Sequence, residues 1–96
     1  MFSSSSPTER REVLFSGHVQ GVGFRYATRH IAQGFEVTGY VRNQGDGRVQ
    51  LVCEGTKSEL DRFLAEVSDR LGHFVRSTAV ATAPAKAHFS DFSIRF

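Results

Sequence analysis

Residues 12–35 read EVLFSGHVQGVGFRYATRHIAQGF, and the period of their apolar positions changes partway along. Over 12–19 the period is two. Val13, Phe15, Gly17 and Val19 share one side while Glu12, Ser16 and His18 lie mainly on the other, the pattern of a half-buried strand. From Phe24 the period lengthens. Phe24, Ala27, Thr28, Ile31 and Phe35 step by three and four and make one face of a helix that Gly34 is placed to stop. Between strand and helix lies Gly17-His-Val-Gln-Gly-Val-Gly-Phe-Arg25, with three glycines in seven residues. Such a junction is either a plain turn or a place where several backbone N–H groups converge on an anion.

Outward from this junction, alternation returns at 36–43, with Val37, Gly39 and Val41 on one side, and at 48–54, with Val49, Leu51 and Cys53 on one side. Gln44-Gly45-Asp46-Gly47 is a dense turn signal, short enough to make these strands an antiparallel hairpin. Thr56-Lys-Ser-Glu59 has the form of a capping box. Behind it Leu60, Phe63, Leu64, Val67 and Leu71 keep a helical repeat up to Gly72. Residues 74–82 are β-branched and alternate loosely, 83–87 read as a loop, and Phe92, Ile94 and Phe96 alternate as a closing strand. The order strand, helix, strand, strand, helix, strand, with a last strand attached, predicts an α+β βαββαβ sandwich. Its antiparallel sheet carries two helices on one face and turns the other to water.

The 96 residues fit one domain, expected over 11–96, behind a disordered tail over 1–10. A formal net charge of +2 is too mild to point to nucleic acid or a membrane surface. No apolar run approaches the ~18 residues of a span, and the serine-rich start lacks the basic and apolar regions of a secretory signal. A single cysteine, Cys53, excludes an internal disulfide and a cysteine-rich zinc site and fits a reducing compartment. The expectation is a cytoplasmic monomer with neither nucleic-acid nor membrane partners.

Gly21 and Gly23 reach backbone angles closed to other residues and let a ligand approach closely. The loop is not a Walker A motif, because no Gly-Lys-Ser/Thr follows, and it lacks the third glycine of a dinucleotide fingerprint. Arg25 falls in the first turn of the predicted helix, where a cation opposes the macrodipole. An anion held in front of the helix removes that conflict, and a guanidinium fork grips two oxygens at once. The competing reading is a surface arginine with its head in water. Asn43 is an ordinary turn residue by type, or an amide able to orient a water by donating one hydrogen bond and accepting another. The four histidines show no ligand spacing, Cys53 lies on a core face, and no carboxylates pair, so neither a metal nor a cofactor is expected.

Gly17–Arg25, Gly39-Tyr-Val-Arg-Asn43 and Asp46-Gly47-Arg-Val49, in this order and at this separation, resemble the acylphosphatase family. The matching positions are Gly17, Val19, Gln20, Gly21, Val22, Phe24 and Arg25, then Gly39, Val41, Asn43, Gly47, Val49 and Gly55. The terminal Phe92-Ser-Ile-Arg-Phe96 is also similar to the family's end, whereas 72–88 depart from its usual Gly-Pro-rich form. The resemblance implies a ferredoxin-like fold and metal-independent hydrolysis of the carboxyl–phosphate bond of a small acyl phosphate. It further implies that Arg25 and the loop formed by Val19, Gln20, Gly21, Val22 and Gly23 bind the phosphate, and that Asn43 orients the attacking water.

The chemistry agrees with these residue types. A carboxylate leaves without needing a proton, so no strong general acid is required. The demand is to hold three phosphoryl oxygens and place a water in line. The alternative is a non-catalytic module on the same fold that binds phosphate or carboxylate groups. An RNA-binding sheet is disfavoured, because Arg48-Val-Gln-Leu-Val-Cys53 carries no exposed-aromatic pattern.

Overall fold

The computed structural model describes residues 7–96. Along the chain run β1 (Thr8–Gly17), α1 (Phe24–Ala32), β2 (Thr38–Asn43), β3 (Val49–Thr56), α2 (Lys57–Leu71), a 3-10 turn (Gly72–Phe74), β4 (Val75–Pro84) and β5 (Phe92–Arg95). The strands form one sheet in the order β4-β1-β3-β2-β5. Val13, Phe15, Val41, Val49, Leu51 and Cys53 point from it into a core shared with Phe24 and Ile31 of α1 and Leu60, Phe63 and Val67 of α2. The period-two and helical faces of the sequence therefore meet as predicted, and the fold is the ferredoxin-like α+β sandwich. The capping box forms, with the Thr56 hydroxyl accepting from the Glu59 N–H at 3.2 Å. No helix among the described residues is long and apolar enough to cross a membrane.

Several boundaries move: β2 begins at Thr38 instead of 36, and β3 runs on to Thr56 instead of 54. Residues 8–10 fall in the segment expected as tail, yet they pair with Thr56, Gly55 and Glu54 and extend β1; the rest of that tail, 1–6, lies outside the described residues. Ala83 and Pro84, expected in a loop, close β4 opposite Arg10 and Glu9. Proline is tolerated there because β4 is an edge strand and needs no donor on its open side. Gly39 is fixed by close approach: it has φ +142°, and a Cβ added there would run into the Val52 carbonyl of the neighbouring strand.

The sheet, expected to be antiparallel throughout, is mixed, because β5 runs parallel to β2, from Gly39↔Phe92 to Arg42↔Arg95. β4 and β5 occupy opposite edges of the sheet, four strand spacings or about 19 Å apart. Residues 85–91 bridge that distance and bring β5 in at the end where β4 stops, beside the start of β2.

This strap crosses the face away from the helices and partly closes the side expected to face water. Glu54, only 5% exposed, holds it there. Its carboxylate accepts from the Lys86 and Ala87 N–H groups at 2.8 and 2.9 Å and from Arg10 Nε at 2.8 Å. Phe89 packs edge-on against Tyr40, and the Arg10 and Arg95 guanidinium groups stack on these rings. Burial opposes ionisation of Glu54, but the Lys86 N–H, the Arg10 guanidinium and the Ala87 N–H outweigh it and hold the carboxyl below its ordinary value of 4.5.

A carboxyl whose pKa is depressed by folding stabilises the fold fully above its unfolded value and loses that contribution as pH falls through the folded one. Glu54→Ala is therefore expected to lower stability by about 2–3 kcal/mol at pH 7, on the scale of hydrogen bonds to a charged group. The gap between the thermal melts of the two proteins should narrow as pH falls below about 4.5 and the wild-type carboxyl is protonated. A gap that stays constant with pH would contradict this.

Candidate active site

The glycine loop hangs between two buried anchors. Val19 is 1% exposed and Phe24 2%, and the Phe24 ring packs on Phe15 of β1 with centroids 5.1 Å apart. Val22 packs against the same core from a half-buried position. Val19 and Val22 thus turn their side chains inward and leave only backbone to face a ligand. Gly21 and Gly23 lie at φ +79° and +78°, with nothing near a hypothetical Cβ, so glycine is required by backbone angle and not by space.

Gly23 is the N-cap of α1 and offers no side-chain cap, and the first turn carries no acid. The first helical hydrogen bond runs from the Ala27 N–H to the Gly23 carbonyl at 3.0 Å. Among the described residues, no protein acceptor meets the backbone N–H groups of Gln20, Gly21, Val22 and Gly23. The loop and the positive end of α1 therefore present donors together, which is the arrangement that favours an anion.

Arg25 does not wave in solvent. It is half-buried, its Nη1 donates to the Arg95 carbonyl at 3.2 Å, and its guanidinium lies 4.7 Å from the centroid of the Phe96 ring. Of its five N–H donors the Arg95 carbonyl takes one. Arg95 pairs with Arg42, and the next residue along β2 is Asn43. The parallel direction of β5 thus carries the partner of Arg25 to the end of the sheet where Asn43 stands. Asn43 closes β2 opposite Val49, half-buried, and its amide has no protein hydrogen-bond partner among the described residues.

Gln20 joins the loop to this end by a contact that sequence reading missed. Its Nε2 donates to the Gln44 carbonyl at 2.8 Å and to the Arg48 carbonyl at 2.9 Å. These two carbonyls lie on either side of the turn that follows Asn43. The turn is further tied by Gln44 N–H to the Arg48 carbonyl at 2.8 Å and by the Arg48–Asp46 ion pair at 2.8 Å. The Arg48 guanidinium and N–H hold the Asp46 carboxyl below its usual range. No local pattern marks the Gln20 contact, since its acceptors stand 24 and 28 positions away.

Cys53 is not part of this site. Its thiol lies in the core with Sγ 3.8 Å from the Arg11 carbonyl, and burial pushes its pKa up to about 12, far from a nucleophile's range. His18, His30, His73 and His88 are all exposed on separate elements or loops.

The family model for acylphosphatase matches residues 11–94. An acylphosphatase of Ligilactobacillus salivarius is 36% identical over 87 residues, covering 88% of this chain and 96% of the relative. One of Archaeoglobus fulgidus is 50% identical over 56 residues, covering 58% of this chain and 63% of its own length. The crystal structure of acylphosphatase from Bacillus subtilis superposes with a TM-score of 0.82 at 29% identity, covering 92% of this chain and 99% of that one. With the motif residues gathered at one end of the sheet and the match running from β1 into β5, the chain belongs to the acylphosphatase family and is an acyl phosphate hydrolase.

Proposed function

We propose that the backbone N–H groups of the loop through Val19, Gln20, Gly21, Val22 and Gly23, together with Arg25, bind the phosphate of a small acyl phosphate, and that Asn43 orients the water that attacks it. The observation that carries this reading is the run of N–H groups without protein acceptors at the uncapped, acid-free start of α1, with Arg25 in its first turn. A dianionic phosphoryl group meets all three features at once. The Arg95 carbonyl and the Phe96 ring hold the guanidinium in place while its remaining donors face the substrate.

Water held by Asn43 attacks phosphorus in line with the bond to the acyl oxygen. That P–O bond breaks and its electron pair leaves with the carboxylate. An amide cannot take a proton at neutral pH, so both water protons end on the released phosphate, giving carboxylate and dihydrogen phosphate. Stabilisation comes from fixed donors around the phosphoryl oxygens and from alignment, the terms that dominate phosphoryl transfer. The same reading places the enzyme in the cytoplasm as a monomer: Cys53 is a lone buried thiol, and Gln20, Arg25 and Asn43 are brought together within one chain.

The purified protein is expected to hydrolyse benzoyl phosphate equally well with and without a chelator. A folded sample that is protected from heat by inorganic phosphate but shows no turnover would identify a non-catalytic binding module instead. Arg25→Ala should lower kcat/KM by at least about 10²-fold, the scale of one lost oxyanion donor, and should weaken inhibition by phosphate. Asn43→Ala should lower kcat by roughly 10²–10³-fold and leave phosphate inhibition close to wild type. Equal effects of both substitutions on phosphate inhibition would contradict this division of roles.

A further inference from the structure

We infer that the Gln20 side chain is a positioning residue for the attacking water, acting through the turn that carries Asn43. This rests on the roles assigned above to the loop and to Asn43. Gln20 belongs to the phosphate loop by its backbone, but its side chain points out of the loop and spans to the hairpin. Two carbonyl oxygens as neighbours fix the orientation of the amide, because only its NH₂ group can serve both. Each of these carbonyls is also engaged within the turn. The Gln44 carbonyl accepts from Gly47 N–H at 3.2 Å, and the Arg48 carbonyl from Gln44 N–H at 2.8 Å. The amide therefore inserts as a third member into the hydrogen bonds that close the hairpin directly after Asn43.

The strut links the exposed tips of two segments whose flanks alone are fixed by the core and the sheet. Gly21 and Gly23 are exposed, as are Gly45, Asp46 and Gly47 of the turn. The loop determines where phosphorus lies, and the end of β2 determines where the Asn43 amide lies. Attack in line requires both positions to hold together, and a displacement of about 1 Å is enough to lower a rate roughly 10²-fold. Gln20 supplies the connection at two hydrogen bonds of ordinary length without touching the reacting atoms itself.

Three variants separate positioning from mere structural support. Gln20→Leu should lower kcat about 10- to 100-fold while inhibition by inorganic phosphate changes less than about threefold, because the backbone donors remain. In an Asn43→Ala background the same substitution should cost less than about twofold more, since the group it positions is already gone. Gln20→Glu keeps the shape but cannot donate when ionised. Facing two carbonyl oxygens raises the carboxyl's pKa above its ordinary ~4.3. Its kcat relative to wild type should therefore rise as pH falls from 8 to 5, a signature that does not depend on Gln20→Leu folding well. Additive losses in the double variant, or a Gln20→Glu ratio flat with pH, would overturn the inference and leave the acylphosphatase reading intact. Wild-type protein without turnover would overturn both.

Discussion

Burial of Val19 and Phe24 on either side of a short glycine loop is the constraint from which the site follows. Each side chain is locked into the core, one closing the approach from β1 and the other opening α1. Between them, the backbone N–H groups of Gln20, Gly21, Val22 and Gly23 meet no protein acceptor among the described residues. Gly21 and Gly23 take left-handed backbone angles within this stretch. The cohesive energy of an apolar core, about 1.5–3 kcal/mol for each large side chain fully buried, thereby holds open a polar loop that local hydrogen bonding alone would collapse. The glycines serve geometry here, and rigidity comes from their neighbours.

A second layer of organisation lies on the face of the sheet away from the helices. Crossing from β4 to β5, the strap over 85–91 and its Phe89 meet Glu54, Arg10, Tyr40 and Arg95, an arrangement of one buried carboxylate, two guanidinium groups and two rings. Its effect reaches the site through direction. The strap delivers β5 beside the start of β2, so β5 runs parallel to β2 and its last residues arrive beside Arg25. The carbonyl of Arg95 then offsets part of the unfavourable placement of a cation at a helix start, the conflict visible in the sequence at Arg25.

Most of the fold was legible because its signals are local. The change from period two to period 3.6 at Phe24, the capping box at Thr56 and the glycine-rich turn after Asn43 each specify backbone conformation within a few residues. Arg25 and Asn43 stood out as candidates from motif and residue chemistry, and the structure brings both to one end of the sheet. What the sequence did not disclose were relations between distant segments. These include the parallel direction of β5, the face crossed by the strap, the inclusion of residues 8–10 in β1, and the acceptors of Gln20 and Arg25. Gln20 is instructive, since its residue type was noticed for its place in the loop while its side chain works on a turn two elements away.

The separations of these contacts also bear on how the molecule assembles. Gln20 reaches acceptors 24 and 28 positions ahead, and Arg25 reaches one 70 positions ahead. Closing a loop of that length loses chain entropy before any contact rewards it, and topologies rich in such pairings fold slowly for the same reason. Helix α2 has its own cap and i,i+4 ion pairs, contacts that need only neighbouring residues. The Arg25–Arg95 contact, by contrast, exists only once β5, at the far end of the sequence, has docked beside β2.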